Sequence, residues 1–365
     1  MAVIRPILDV DKPLSDQFKQ IWAGLDEECQ FNFPNEPPSW LDEDLYDRGI
    51  EFVSANLVGV GMSNGEALVS GLCIPSFFKA LTFSGETNVK KNALYRYRDT
   101  GLHIFGKWYF SKPWVENSEA AKSFKIVNKM HSHIANKIRD IRDDFDTILE
   151  SKYEDPGKQM HLDVLQNDLK RLREAVGTMP NEYSYFVNNS LIFTQFDMFL
   201  VQSSFFGGPL LYPEWYGCAR ATDAEMEAFL HVWRVFGYYL GIDDKYNAAQ
   251  FDVQTTRKLG FECLERVVKP CCLHIHQQSV FLAQKVFLVP SDYYVWLYRN
   301  YHMMGLELKE LWKKFSWRQT YFYYARFCFG YYIYPIFGLK QMFNRMARRL
   351  IHAVVDRVKS KSQIE

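Results

Sequence analysis

Residues 118–145 read SEAAKSFKIVNKMHSHIANKIRDIRDDF and carry the most regular pattern in the chain. Six apolar residues and one histidine follow one another at alternating steps of three and four: Phe124, Val127, His131, Ile134, Ile138, Ile141 and Phe145. This spacing places all seven on one face of an α-helix. Asn117 or Ser118 can cap the first turn, and Glu119 suits its start. The stretch therefore predicts a long amphipathic helix with a histidine among its core residues.

Helical spacing recurs through the rest of the chain, whereas no stretch keeps the alternation that is typical of a β-strand. Thr222 and Glu225 form a capping-box pattern that predicts the start of a helix, and Gly241 is placed to end it. Pro270 and Pro290 are predicted to break helices near the C-terminal third. We therefore predict an all-α fold, with one large helical domain.

Composition shifts along the chain predict four parts. Residues 1–39 are polar and Pro-rich, which indicates an N-terminal arm. Residues 40–345 form the predicted helical domain. Within it, residues 142–180 are highly charged, break at 155–157 (DPG) and indicate a helical arm, either a lid or partner surface or a hairpin laid on the body. Residues 346–365 form a basic C-terminal tail.

Charge and cysteine content restrict the partners and the compartment. Lys and Arg together number 43, as do Asp and Glu, so the formal net charge is zero. A chain with no net charge lacks the positive electrostatic field that attracts nucleic acids, so no nucleic-acid partner is expected. The seven cysteines are an odd number, and Cys271 and Cys272 are adjacent, so we expect free thiols. With no apolar signal segment at the start, the expected location is intracellular: the cytoplasm, or the cytoplasmic face of a membrane such as the endoplasmic reticulum.

The segment before the basic tail has the length of a membrane span but not its chemistry. Residues 320–338 contain Arg326 and six tyrosines, which is typical of a helix at a membrane interface. The basic amphipathic sequence that follows fits the same location. We predict peripheral membrane contact through residues 320–360; a core helix and a true span are the alternatives.

His131 is a polar residue in an apolar stripe. Most such histidines are core residues whose nitrogens are bonded to neighbours, and this interpretation stays open. The alternative is a metal ligand, because haem iron binds a neutral imidazole held on a rigid helix beside an apolar slot. His133 is turned about 200° away from the stripe. His274 and His276 lie beside the adjacent cysteines but lack the spacing of a zinc site.

Arg96 and Thr100 lie one helical turn apart, so a guanidinium and a hydroxyl could reach the same point in space. Such a pair could hold a carboxylate such as a haem propionate, or polarise bound oxygen. The alternative is an exposed arginine beside a threonine on the helix surface. The sequence contains no serine-hydrolase elbow, P-loop, dinucleotide fingerprint or kinase signature.

Several stretches carry a resemblance to a known family: 47–49 (DRG), 96–100 (RYRDT) with Trp108, 127–131 (VNKMH), 194–197 (TQFD) and 228–247 (AFLHVWRVFGYYLGIDDKYN). Together they resemble the haem-dependent oxygenase domain shared by bacterial latex clearing protein, a rubber oxygenase, and by the fungal endoplasmic-reticulum oxygenase that cleaves a farnesyl chain in mycophenolic acid biosynthesis. The resemblance implies a globin-like helical fold around a b-type haem. It also implies oxidative cleavage of isoprenoid C=C bonds with O2, and it implies that the helical arm at residues 142–180 is an inserted one.

The same resemblance implies roles for individual residues. His131 would be the axial iron ligand, and Arg96 and Thr100 would act on the distal or propionate side. The haem would also contact Val127, Asn128 and Ile134. Two positions depart from the family pattern: Asp99 stands where latex clearing protein has a distal lysine, and Asn128 stands where an arginine is usual.

The sequence therefore predicts a haem-b oxygenase that acts with O2 on a small lipophilic substrate of isoprenoid type. A haem-binding sensor or carrier without turnover is one alternative, since the distal lysine is replaced by Asp99. A haem-free helical protein on a membrane surface is another, suggested by the aromatic and basic C-terminal region.

Overall fold

The computed structural model describes residues 12–85, 90–153, 161–189, 191–287 and 289–362. Within these ranges the regular secondary structure is helical, and the sole β feature is an isolated antiparallel bridge between Glu28 and Thr194. The all-α prediction is therefore confirmed. None of the described helices is both long enough and apolar enough to cross a bilayer.

The α-helices, in chain order, are α1 (Asp16–Trp22), α2 (Glu43–Ala55), α3 (Leu57–Gly71), α4 (Pro75–Ser84), α5 (Lys90–Gly106), α6 (Glu119–Asp140), α7 (Phe145–Ser151), α8 (Leu162–Val176), α9 (Asn181–Asn188), α10 (Gln195–Leu211), α11 (Asp223–Tyr239), α12 (Val253–Cys263), α13 (Lys269–Leu273), α14 (Gln277–Gln284), α15 (Tyr293–Met303), α16 (Lys309–Lys313), α17 (Trp317–Cys328) and α18 (Phe337–Ser362). Short 3-10 helices lie at Ala23–Asp26, Trp108–Phe110, Arg142–Asp144, Pro213–Tyr216, Asp244–Tyr246, Ala248–Gln250 and Pro290–Asp292. Two π-helical turns lie at Leu264–Val268 and Phe329–Ile333.

Two helix pairs form the centre of the main hydrophobic core: α2 packs against α11, and α3 packs against α10. Gly49 allows the first pair to approach closely, because a Cβ atom there would lie 2.2 Å from the carbonyl oxygen of Ala228. Thr222 and Glu225 form the predicted capping box of α11. Gly241, with φ at +87°, lies just beyond the end of that helix. The predicted bounds of α11 are therefore confirmed.

The charged arm after α6 belongs to the body of the protein. Leu162, Leu165, Leu169 and Leu172 of α8 are buried in a second core, together with residues of α13, α15 and α16. The Asp168 carboxylate, fully buried, accepts a hydrogen bond of 2.8 Å from the backbone N–H of Leu311. Of the two interpretations of residues 142–180, the described part fits a helix laid on the body; the 155–157 break lies outside the described residues.

Part of the predicted N-terminal arm, residues 1–39, is helical and packs into the main core. Residues 16–26 are helical, and Phe18 and Ile21 are fully buried in the main core. Ser15 caps α1, and its Oγ also donates to the Glu262 carboxylate at 2.5 Å. This short helix was not predicted from the sequence, because its apolar side is only two turns long and lies among polar residues. Residues 1–11 lie outside the described part of the chain.

Three smaller predictions are corrected. α6 ends at Asp140, so Ile141 and Phe145 do not extend its face. Pro270 does not break a helix, because the π-turn before it widens the backbone where a proline has no N–H to donate. No boundary occurs at residue 346, since α18 continues from Phe337 to Ser362. The seven cysteines are free, as predicted.

Candidate functional site

The imidazole of His131 lies in a cluster of three rings that no sequence pattern indicated. Its ring centroid is 5.2 Å from that of Phe31 and 5.7 Å from that of Phe193. The two phenyl rings also touch each other edge to face, at 5.6 Å. Phe31 belongs to the extended segment before α2, and Phe193 comes just before α10. Residues distant in sequence therefore build an apolar wall on one side of His131.

One nitrogen of His131 has no partner. The Nδ1 atom is buried and makes no hydrogen bond within the described residues, although the assignment of the two ring nitrogens is exchangeable by a ring flip. Burial, with a smaller contribution from the charge of Arg96, lowers the pKa of His131 from its usual 6.5 to about 4. The imidazole is therefore neutral at pH 7. A buried, neutral, unbonded imidazole nitrogen is what a metal ligand requires, and a satisfied core histidine lacks it.

Arg96 supplies the positive charge beside this nitrogen. It lies in the middle of α5, and its Nη1 donates to the hydroxyl of Ser84 at 2.8 Å. The Thr100 hydroxyl, by contrast, donates to the Arg96 carbonyl oxygen at 3.1 Å, and Thr100 is exposed. The structure thus brings Arg96 near His131 but turns the Thr100 side chain onto its own helix. The predicted meeting of guanidinium and hydroxyl is not seen.

The remaining predicted contacts of a haem differ in burial. Val127 is buried in the main core, and Ile134 packs in a small cluster with Ile138 and Phe145. Asn128 is buried, and its Nδ2 donates to the Tyr239 carbonyl oxygen at 2.9 Å. Its Oδ1 has no partner within the described residues. Asn128 therefore ties α6 to α11 and leaves one buried acceptor unused.

Asp99 pairs with its neighbour Arg98 at 2.6 Å. About half of the side chain of Asp99 is exposed. The pair lies on the outer surface of α5, and neither residue contacts His131 in the described structure. Asp99 is therefore part of a surface ion pair.

Most of the other residues that carry the family resemblance have structural tasks. Arg234 forms a two-point ion pair with Asp244, at 2.8 Å and 2.6 Å, and stacks over Trp40. Thr194 and Asp197 form the capping box of α10. Packing thus explains these positions, whereas it does not explain the unbonded nitrogen of His131.

Three further histidines, His231, His274 and His276, have hydrogen-bond partners. The ring Nε2 of His231 accepts a 3.2 Å hydrogen bond from the backbone N–H of Asp42, and His276 caps α14. His274 Nδ1 lies 3.0 Å from the Pro270 carbonyl oxygen. No group of three or more His, Cys, Asp or Glu residues in the described structure is arranged to hold a metal ion. A metal at His131 would therefore need ligands from a cofactor.

A cavity of about 130 Å³ lies between α3, α10, α12 and α15. Glycine, serine, leucine and methionine predominate in its lining, with Phe77, Phe206 and Tyr216. Ser63 also lines it, and the Ser63 hydroxyl is buried without a hydrogen-bond partner among the described residues. His131 is not a lining residue, so this cavity and the imidazole are separate features of the fold.

A buried charge cluster at the edge of this cavity was missed by sequence reasoning. The Glu66 carboxylate lies 2.6 Å from Arg299 Nε and 2.9 Å from Arg326 Nε, and it accepts a 2.5 Å hydrogen bond from the Tyr216 hydroxyl. Glu66 and Arg299 are each 1 % exposed. Glu66 was the one acidic residue in the small and apolar run of α3, and this isolation was the signal available.

Comparisons of the chain with protein-family models, with curated proteins and with solved structures give no match.

Proposed function

We propose that this chain is a haem-b-dependent oxygenase that acts with O2 on a small lipophilic substrate of isoprenoid type. The observation that carries the proposal is His131: a neutral imidazole with a buried, unbonded nitrogen on a long helix, next to a positive charge. The family resemblance of residues 96–100 and 127–131 supports the same assignment.

The residues present fit the chemistry of the cofactor. His131 would be able to bind the iron without first losing a proton, because its pKa is about 4. Arg96 offers a guanidinium that suits a propionate carboxylate. Phe31 and Phe193 cover one side of the imidazole and would form part of the apolar enclosure of a haem held by His131. When bound, haem supplies the oxygen chemistry, while the protein provides the ligand, the orientation and an apolar enclosure.

The lipophilic substrate is the second part of the proposal. The cavity of about 130 Å³ is lined mainly by apolar groups. This volume is close to the roughly 150 Å³ of an apolar cavity that binds benzene. His131 is not among the lining residues of the cavity, so a group bound there would not lie beside the imidazole, and the lipophilic, isoprenoid substrate rests on the family resemblance alone.

The spectrum of the purified protein tests haem binding. We expect a Soret band in the air-oxidised protein that shifts on reduction, and we expect His131→Ala to abolish it. His133→Ala is the matched control, since His133 is exposed and two residues along the same helix. An unchanged haem content in His131→Ala would remove His131 as the ligand, and wild-type protein that stays colourless after addition of hemin would remove the proposal.

Oxygen uptake separates turnover from simple binding. Haem-loaded wild-type protein should consume oxygen when farnesol is added, and a carrier or sensor would not. A specific observation favours the carrier: Asp99 is engaged in a surface pair with Arg98 and brings no amine toward His131. Protein with a normal Soret band but no uptake with farnesol or a longer isoprenoid would support the carrier.

A further inference from the structure

Exposed apolar side chains are concentrated in one part of the chain. Thirteen of the 21 large hydrophobic residues exposed in the described structure lie between Trp317 and Val354. We call these thirteen residues the C-terminal aromatic surface: Trp317, Tyr321, Phe322, Tyr324, Tyr331, Tyr332, Ile333, Ile336, Phe337, Met342, Met346, Leu350 and Val354. Scattered exposed hydrophobic residues are normal, whereas a contiguous exposed apolar patch marks an interaction site, so the arrangement of these residues on their helices is what matters.

Much of this surface follows helical periodicity. On α17 the exposed residues Trp317, Tyr321 and Tyr324 recur at steps of four and three, so they share one face. On α18 the exposed residues Met342 and Met346 begin a row that continues at steps of four through Leu350 and Val354. Each helix thus keeps an apolar face outward that the fold itself does not use.

The opposite side of the same segment is firmly attached to the body. Tyr334 is fully buried, and its hydroxyl donates to Asn344 Oδ1 at 2.8 Å. Asn344 Nδ2 in turn donates to the Ala55 carbonyl oxygen at 2.6 Å, and Lys340 Nζ donates to the Gly217 carbonyl oxygen at 2.9 Å. The outward apolar faces are therefore held in place and not parts of a segment awaiting its own core.

The charge of this segment indicates what covers it. Residues 317–355 contain no Asp or Glu. Of their six basic residues, Arg318 pairs with Asp292 and Arg326 pairs with Glu66, which leaves Lys340, Arg345, Arg348 and Arg349 without a carboxylate partner among the described residues. A second copy of the chain would bring the same positive charges against these, which opposes self-association. An anionic lipid surface attracts them. Tyrosine and tryptophan also prefer the boundary between headgroups and acyl chains.

We propose that the C-terminal aromatic surface binds the face of a bilayer that contains anionic lipids. The apolar side chains enter the boundary between headgroups and acyl chains, and Arg345, Arg349 and their basic neighbours contact lipid phosphates. This binding goes beyond the haem function and does not depend on it. It fixes the protein at a place where lipophilic molecules are concentrated.

Co-sedimentation of the full chain with vesicles tests the proposal. We expect binding to vesicles of phosphatidylcholine with phosphatidylserine, and weaker binding to phosphatidylcholine alone. The double variant Arg345→Gln/Arg349→Gln should lose about thirtyfold in partitioning to the anionic vesicles, since each basic residue near such a surface adds about fivefold. Lys129→Gln/Lys137→Gln, exposed on α6, is the matched control and should change little.

A second pair of variants tests the apolar part. Trp317→Ser/Phe337→Ser should weaken binding to both kinds of vesicle by about tenfold or more, because these are the two most exposed side chains of the surface, at 83 % and 73 %. Val115→Ser/Ile126→Ser removes exposed apolar groups elsewhere and should not. Circular dichroism checks that each variant is folded.

Three outcomes would overturn the proposal. They are no binding to either kind of vesicle, equal loss in the matched controls, and dimers in solution that Trp317→Ser/Phe337→Ser converts to monomers, which would identify a second copy as the partner. Vesicle binding is measured without reference to haem, so its failure is distinguishable from the loss of a Soret band.

Discussion

Glu66 forms ion pairs with two arginines in the interior of the protein. Its carboxylate contacts Arg299 and Arg326, and Arg299 is as deeply buried as Glu66 itself. Each guanidinium also lies over an indole ring, Arg299 over Trp215 at 4.7 Å and Arg326 over Trp296 at 3.8 Å. A buried cluster of charges adds little net stability, because the cost of desolvating the charges offsets much of their electrostatic attraction. Removing one member, however, leaves an uncompensated charge in the interior and lowers the stability of the fold.

Glu66→Gln should therefore be strongly destabilising. The amide keeps the size of the side chain but leaves the charge of Arg299 buried without its counter-ion, which costs about 3–5 kcal/mol of unfolding free energy. Urea unfolding followed by circular dichroism measures this. Asp99→Asn is the control, because an exposed pair such as Arg98 with Asp99 contributes about 0–1 kcal/mol. Equal effects of the two substitutions would contradict the buried-charge argument.

His131 should make stability depend on pH in a defined window. Its pKa is about 4 in the folded protein and near 6.5 when unfolded, so the unfolded chain binds the extra proton between these values. Stability from the neutral ring is complete above pH 6.5 and falls as the pH drops toward 4, by up to about 1.4 kcal/mol per pH unit.

The variant His131→Gln removes this titration. Between pH 6.5 and 4 its unfolding free energy should fall less steeply than that of the wild type, whose folded-state pKa is about 4. His133→Gln, on the exposed side of α6, should keep the wild-type slope. Parallel curves for His131→Gln and the wild type would show that Nδ1 is not buried in the folded protein.

At the scale of elements, substitutions in α8 distinguish a lid from a helix that is part of the folded core. Leu165 and Leu169 are fully buried against the second core. Leu165→Ala or Leu169→Ala should each lower the unfolding free energy by about 2–5 kcal/mol through lost burial and a residual cavity. Lys170→Ala, exposed on the same helix, should change it by less than about 0.5 kcal/mol. A helix that acts as a lid would tolerate the leucine variants with almost unchanged stability.

The sequence predicted helix bounds correctly where they depend on a few neighbouring residues. The caps at Ser118 and Thr222 need only a few neighbouring residues, and both are found as expected. The stripe of α8 leucines likewise needs only periodicity. In contrast, the short helix α1 shows its apolar side only through Phe18 and Ile21, and Pro270 is tolerated because of a π-turn that no residue pattern announces.

The candidate site was predictable only in part for the same reason. His131 and Arg96 were identified from spacing and resemblance, and the structure brings them within electrostatic reach of each other. Phe31 and Phe193 come from loops before α2 and α10, and their meeting at His131 depends on the tertiary fold. The Thr100 hydroxyl could bond to its own helix backbone or point away from it, and spacing in the sequence does not decide between these orientations; in the structure it bonds to the backbone.

At the scale of the whole molecule, the first helix connects to a late part of the chain. Ser15 bonds to Glu262 through both its backbone N–H and its hydroxyl, and Gln20 Nε2 donates to the Lys245 carbonyl oxygen at 2.7 Å. Phe18 completes the main core from this end. Residues more than two hundred positions apart therefore fold as one body.

Phe18→Ala should consequently destabilise the entire domain. Removing a fully buried phenyl ring should lower the unfolding free energy by about 3–5 kcal/mol. The loss should appear equally in far-ultraviolet circular dichroism and in tryptophan fluorescence, because α1 is part of the core that holds Trp233. Asp16→Ala is the control, since that side chain is 90 % exposed in its pair with Lys19. If Phe18→Ala left both transitions in place, α1 would not belong to the cooperative unit that contains the main core.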